Sequence, residues 1–385
     1  MAKGSTQQLR FQDFKDPTTG VRVTRLTPPD VINHRNYFYQ KCFTNDGSQL
    51  LFGSDFDGER NNWLLDLRSG VARQLTEGKG SNTHGAFLSP DDAWLYYVNS
   101  GRELRRVALD SLAEEVVYRV PEGWRGAGTW VANSACTKFA AMEQWEADVV
   151  TGSSGWEKFR LQFERKPRSR LISIDGASGL AHTVYEQQRY MGHPMYRPFD
   201  DHTMAFCHEG PHDLVDARMW LVDEDGRNLR KVKEHAPGEA CMHEFWVPDG
   251  SRMIYVSYVE GEQQRFVWAA DPVTLKNEML MPMPPCSHLM SNYDGSLLVG
   301  DGAGQLEDVA NKDAHAFEPD PYLHLFDLKT RSTRRICAHN SSWREYKGNH
   351  QTSHPHPSFT PDEQRVLFSS DFEGLPAIYL ADLPY

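Results

Sequence analysis

One arrangement of residues recurs seven times along this chain, and it restricts the fold more than any other feature. "FTNDGSQLLFGSDFDGERNNWLLDLRSGVARQLT" (43–76) and "FTPDEQRVLFSSDFEGLPAIYLADL" (359–383) share one order of parts. An aromatic residue opens the unit, followed by a turn, a short apolar strand, Ser-Asp, a Gly-containing loop and a second apolar strand ending in Asp. Weaker copies begin at "FLSPDDAWLYYV" (87), "VANSACTKFAAM" (131), "YRPFDDHTMAFC" (196), "FWVPDGSRMIYV" (245) and "MSNYDGSLLVGD" (290). The steps between units are 44, 44, 65, 49, 45 and 69 residues, so two units carry insertions.

Each unit alternates turn signals with strand-like runs of about four to eight residues, and helical periodicity is almost absent. Four short strands per roughly 40–45 residues is the pattern of a propeller blade. A single blade cannot cover both of its faces, whereas blades arranged around an axis bury one against the next. The expected fold is therefore all-β: a seven-bladed β-propeller in one domain, 1–385. The stretch "GVRVTRLT" (20–27) matches a blade's last strand, as in "GVARQLT" (70–76), and the seventh unit stops after its "IYLADL" strand. The N-terminal strand is thus expected to complete the last blade and close the ring. A β-sandwich is the competing architecture. The insertions, about 144–170 and 302–320, read as long loops with room for a short helix, the kind of segment that often carries function.

Five of the seven units place histidine at nearly the same station, just before the residue that opens the unit. His84 precedes Phe87, His193 precedes Tyr196, His243 precedes Phe245, His288 precedes Met290, and His354 and His356 precede Phe359. If the aromatic opens the inner strand, these histidines fall in the loops joining one blade to the next, on one face. Any one of them alone reads as a structural hydrogen-bonding residue, and His84 and His193 keep that reading. As a set they point to a ligand site. Imidazole is the commonest protein ligand for divalent transition metals. In an extended segment, side chains two apart face the same side, and Pro355 and Pro357 favour extension around His354 and His356. Gln351 adds an amide oxygen, with His350 as an alternative, and His288 closes the site from the preceding unit. Such a donor set suits Mn, Fe, Co, Ni or Zn. Arg60, Arg218 and Arg265 each lie a few residues before a tryptophan, between second and third strands. Beside a metal-competent cluster they suggest an anionic ligand.

Composition narrows the partners. A net charge of −12 is the opposite of what a phosphate backbone attracts, so no nucleic acid is expected. No run of about 18 apolar residues occurs, so no membrane span is expected. The six cysteines are scattered without a C-x-x-C, and the start "MAKGSTQQLRFQDFKDP" has no apolar run of an export signal. Both fit a cytoplasmic protein.

At these residues the chain resembles the oligogalacturonate lyases, pectin-degrading enzymes built as seven-bladed propellers. The resemblance covers essentially the whole chain. It is carried by "VINHRNYFYQKCFTNDG" (31–47), "SDFDGERNNWLLDL" (54–67), "HEGPHDLVDARMW" (208–220), "CMHEFW" (241–246), "SHLMSNYDG" (287–295) and "NHQTSHPHPSF" (349–359). It implies His288, Gln351, His354 and His356 as ligands of a Mn²⁺-type ion, His243 as catalytic base, and Arg218 as a charge-neutralising partner of the substrate. It implies β-elimination on di- and trigalacturonate, saturated or unsaturated, giving 4-deoxy-L-threo-5-hexosulose uronate in pectin catabolism. Long loops around a pocket, and import into a cytoplasm, both favour such short anionic oligosaccharides. Two other readings stay open at this point: a non-enzymatic binding propeller of the TolB kind, and a metal-dependent hydrolase or isomerase on the same residues. A prolyl-oligopeptidase-type peptidase would need a G-x-S-x-G elbow, which the sequence lacks. The oligomeric state is not legible.

Overall fold

The repeated turn builds the same local structure in five units. Thr44, Ser89, Asn133, Asn292 and Thr360 each accept, on a side-chain oxygen, the N–H of the residue five positions on, at 2.9–3.1 Å. Their carbonyls accept the N–H three positions on, at Gly47, Asp92, Cys136, Gly295 and Glu363. All five of those residues have positive φ, from 54° to 68°. This is a tight turn followed by a left-handed residue, which returns the chain as the second strand of a hairpin. Glycine takes that conformation without steric cost, and Gly47 and Gly295 supply it in the first and sixth units.

Each turn therefore starts an antiparallel sheet. The computed structural model, which describes residues 2–152, 155–211, 214–259, 262, 264–302 and 320–384, shows seven such sheets. They are the blades of the seven-bladed β-propeller that the repeat predicts. The first blade runs Asn33–Arg35, Gln49–Ser54, Asn61–Asp66, Val71–Gln74. In the seventh, Ser358–Phe359, Arg365–Ser370 and Ala377–Asp382 are followed by Arg22–Arg25, with Val23 opposite Ala381 and Arg25 opposite Tyr379. The N-terminal strand thus completes the last blade as expected. The N-terminal segment goes further than the repeat indicates: Gln12–Lys15 adds a fifth strand to the seventh blade, and Thr6–Gln8 pairs along Val71–Gln74 of the first. Both cover strand edges that would otherwise expose unpaired N–H and C=O groups.

By packing, the chain divides into two compact units. Residues 1–100, 106–115 and 283–385 form one; residues 101–105 and 116–282 form the other. In the first, Phe52, Trp63, Leu65 and Leu380 pack in one apolar cluster, and Val299, Leu323, Phe368 and Tyr379 are enclosed in another. In the second, Met219, Leu221, Trp246 and Tyr255 are enclosed together. Full burial of a large apolar side chain contributes about 1.5–3 kcal/mol, so these clusters hold the strand pairs in place. The insertion over 144–170 contains a turn of 3-10 helix, Glu146–Asp148, and an α-helix, Gly155–Arg165. The other insertion lies, over 303–319, outside the described residues.

The histidine station differs from the sequence expectation in one respect. His84, His193, His243 and His288 lie within inner strands (Ser81–Leu88, Met191–Tyr196, Glu239–Trp246 and Cys286–Ser291), not in the loops before them. Each sits where pairing with the second strand shifts register. A bulge accommodates extra residues and lets the strand continue beyond them, while re-aiming the side chain it carries. At two of the bulges the histidine itself takes positive φ, 47° for His193 and 55° for His243.

Candidate functional site

In the first unit, three of the predicted ligands come together. The ring nitrogens of His288, His354 and His356 lie within 4.8 Å of one another, and all three side chains are buried. The rings of His288 and His356 stack with centroids 4.0 Å apart; His354 is 5.4 Å from His288 and 5.7 Å from His356. Two nitrogens about 2.1 Å from a shared ion span at most about 4.2 Å, so a small adjustment of these rings suffices. Gln351 brings its amide oxygen to 2.7 Å from His356 Nε2. It is held by a 3-10 turn, His350–Ser353, in which the Asn349 side chain accepts from Gln351 N–H. The side chain of His350, the alternative to Gln351, lies outside what is described. Trp343, 4.2 Å from His354, and Phe38, 5.8 Å from His288, wall the cluster with aromatic surface. Burial, then the neighbouring imidazoles, lower the pKa of His356, which keeps that ring neutral and able to coordinate. Three buried imidazoles and an amide oxygen fit a divalent transition metal.

The route to this convergence is not the one the sequence suggests. His354 is extended (φ −67°, ψ 136°), but His356 has φ +48°. The two rings meet because the backbone turns into the left-handed region between Pro355 and Pro357, not because side chains two apart share a strand face. Asp301 accepts the His356 N–H at 3.2 Å and Arg35 donates to its carbonyl at 2.7 Å, which fixes that conformation.

Sequence reasoning missed a further histidine beside this site. His34 lies in the inner strand of the first blade, and its ring stacks on His84 at 4.0 Å. Residues 35–42 separate it from the aromatic Phe43, so counting back from the aromatic does not find it. Burial, then the charge of Arg60, push its pKa down to about 3, so it is a neutral hydrogen-bonding group, bonded to Thr83 Oγ1 and to the Arg35 carbonyl. Arg60 lies against Asp55 at 3.4 Å.

In the second unit, Arg218 and His243 occupy adjoining parts of the fourth and fifth blades' sequence. Arg218 directly precedes the strand Met219–Asp223, where the spacing predicts it. It is buried and clamped by two carboxylates that the sequence did not single out. Nε and Nη2 donate to Glu244 at 2.8 and 3.3 Å, and Nη1 donates to Glu209 at 2.9 Å. His193 completes the cluster, with Nδ1 3.1 Å from Glu244 and Nε2 3.5 Å from Glu209. Burial pushes both carboxyls up, but Arg218 and then His193 overcome it, so both stay ionised below the ordinary glutamate range. Burial opposes charge on His193, and Glu244 and Glu209 outweigh it, raising its pKa. His193, Cys207 and Glu209 have metal-ligand spacing, yet the Arg218 guanidinium already supplies the cation there. The signal for Glu244 was its adjacency to His243. His243 is half-buried at its bulge, with positive φ. Arg265 is placed differently from Arg218: its guanidinium lies 4.7 Å over the Tyr258 ring.

A family model described as oligogalacturonate lyase matches residues 1–385. The oligogalacturonide lyase of Pectobacterium atrosepticum is 57% identical over 384 residues, covering 100% of this chain and 99% of the relative. The oligogalacturonate lyase of Dickeya dadantii is 56% identical over the same span and coverage. A solved structure described as oligogalacturonate lyase in complex with manganese superposes with TM-score 0.94 at 56% identity, covering 100% of this chain and 99% of that one. With matches of this depth over its whole length, and with the blades, histidines and arginine in the places described, the chain belongs to the oligogalacturonate lyase family.

Proposed function

We propose that this protein is a metal-dependent lyase that cleaves short oligogalacturonides by β-elimination. The observation that carries this reading is the buried convergence of His288, His354 and His356 with the Gln351 oxygen. These four side chains hold the divalent ion, with Mn²⁺ the ion of choice because a 56% identical relative is described in complex with manganese. A divalent ion bound there supplies Lewis acidity to the uronate carboxylate, which lowers the barrier to losing the C5 proton by several kcal/mol.

His243 takes the C5 proton on a ring nitrogen. A neutral imidazole accepts a proton on its unprotonated ring nitrogen. The C5–H electron pair forms the 4,5-double bond, and the C4–O4 bond breaks. The leaving oxygen takes a proton from water or from a side chain. The bulge at His243 favours this role, because its positive φ re-aims the ring out of the ordinary strand direction. Arg218 neutralises charge on the substrate. Among the described residues Glu244 and Glu209 engage three of its N–H groups, which leaves two of the five for a substrate oxygen. No water attacks a glycosidic carbon, so a pair of catalytic carboxylates is not required. The substrates are di- and trigalacturonate, saturated or unsaturated, and the product is 4-deoxy-L-threo-5-hexosulose uronate. The cytoplasm is the working compartment; the free thiols of all six cysteines fit a reducing environment.

The test is direct. Purified protein with digalacturonate and Mn²⁺ is followed by ultraviolet absorbance of 4,5-unsaturated uronate and by assay of the keto-uronate. Product that chelator abolishes supports the reading. Absence of either product, with Mn²⁺ bound, rejects it.

A further inference from the structure

The carboxylate of Asp301 is fully buried and touches two of the three clustered histidines. Oδ1 accepts the backbone N–H of His288 at 2.6 Å. Oδ2 lies 2.8 Å from His288 Nδ1 and accepts the backbone N–H of His356 at 3.2 Å. A carboxylate bonded by two backbone N–H groups is an acceptor, so the ring proton of His288 belongs on Nδ1. Nε2 then carries the lone pair, and it is the only ring atom of His288 left to coordinate.

We propose that Asp301 is the positioning residue of the metal centre: it sets the tautomer and orientation of His288 and ties His356 to the same carboxylate. This rests on the metal reading above. The arrangement at His356 supports it. A non-glycine residue at φ +48° carries a conformational cost, so it persists only where its backbone is held. Asp301 holds the N–H. Arg35, itself 2% exposed, holds the carbonyl and anchors to Ser358 Oγ at 2.5 Å and to the Asn36 carbonyl at 3.0 Å. Two buried groups of opposite charge therefore pin one strained ligand from both sides, and one of them orients a second ligand. Outer partners of this kind commonly govern metal affinity by about 10–100-fold.

The experiment measures Mn²⁺ binding to the full chain by calorimetry and by the paramagnetic resonance of free Mn²⁺, without substrate. In Asp301→Asn, an amide N–H₂ replaces one acceptor, facing the His288 Nδ1–H. The expected result is an affinity about 10–100-fold weaker. Binding by Asp301→Asn within twofold of the parent, or nitrogen-15 resonances of the parent that place the His288 ring proton on Nε2, overturns the proposal. A parent protein that binds no Mn²⁺ overturns the metal reading itself, and with it this one. Should Asp301→Asn fail to fold, nitrogen-15 resonances of the parent decide: His288 protonated on Nδ1 is the expected tautomer, and protonation on Nε2 rejects the role.

Discussion

The guanidinium of Arg218 lies side-on against the Glu244 carboxylate, with Nε 2.8 Å from Oε2 and Nη2 3.3 Å from Oε1. Glu244 is 1% exposed and Arg218 is 8% exposed. Buried pairs of this geometry are costly to break from one side, because the remaining charge has lost its partner in a medium that solvates it poorly. Glu244→Ala should therefore lose about 3–5 kcal/mol of stability, read by urea unfolding. A loss below about 1 kcal/mol would mean that solvent or Glu209 compensates, and that the pair is not a structural anchor.

The same cluster should give stability a characteristic pH dependence. His193 has a raised pKa in the fold, so its contribution is fully present below the ordinary value of 6.5 and lost as pH rises through the folded value. Glu209 and Glu244 have lowered values, so theirs is present above the ordinary 4.5 and lost as pH falls through the folded values. Stability measured from pH 4 to 9 in His193→Gln should lose the alkaline-side decline that this cluster causes and keep the acid-side decline. An unchanged alkaline limb would show that His193 is not charged in the fold.

His243→Ala should retain Mn²⁺ binding and thermal stability while kcat falls about 10²–10⁴-fold, the usual contribution of a general base. Steady-state kinetics on digalacturonate checks this. A near-normal kcat would move the base to another residue.

His354→Ala should lose the ion and the activity together, since it removes one of three clustered imidazoles. Calorimetric titration with Mn²⁺ and the lyase assay are read on the same preparation. Full activity after thorough chelation of the parent would take the metal out of the reaction.

The stacked pair His34 and His84 depends on the absence of a side chain at residue 53. A Cβ added to Gly53 would lie 2.5 Å from His34 Nε2 and 2.8 Å from Thr83 Cβ. Gly53→Ala should cost about 1–3 kcal/mol through overpacking, measured by thermal or denaturant unfolding. A neutral effect would show that His34 moves freely and is not fixed by its bonds to Thr83 and to the Arg35 carbonyl.

The blades were legible in the sequence because the signals that make them are local. A turn residue such as Thr44 or Thr360, a left-handed residue three positions on, and a short apolar strand after it lie within a few residues of one another in five units, and the repeated strand pattern extends the hairpin to all seven. The histidines were legible as a set because the repeat puts them at one station. Charge and donor chemistry marked His288, Gln351, His354 and His356 before any coordinates. What lies between strands of different blades was not legible. His34 was hidden by a long bulge, and the inner strands began earlier than the aromatic signal because bulges leave no compositional mark. The φ of His356, the carboxylate of Asp301 beneath it, and the grip of Glu209 and Glu244 on Arg218 come from residues far apart in the chain. The sequence by itself determined the repeat, the fold it forces and the kinds of side chain available. Tertiary structure decided which of those side chains are desolvated together, and desolvation is what turns an ordinary Asp, Glu or His into a partner of fixed charge and orientation.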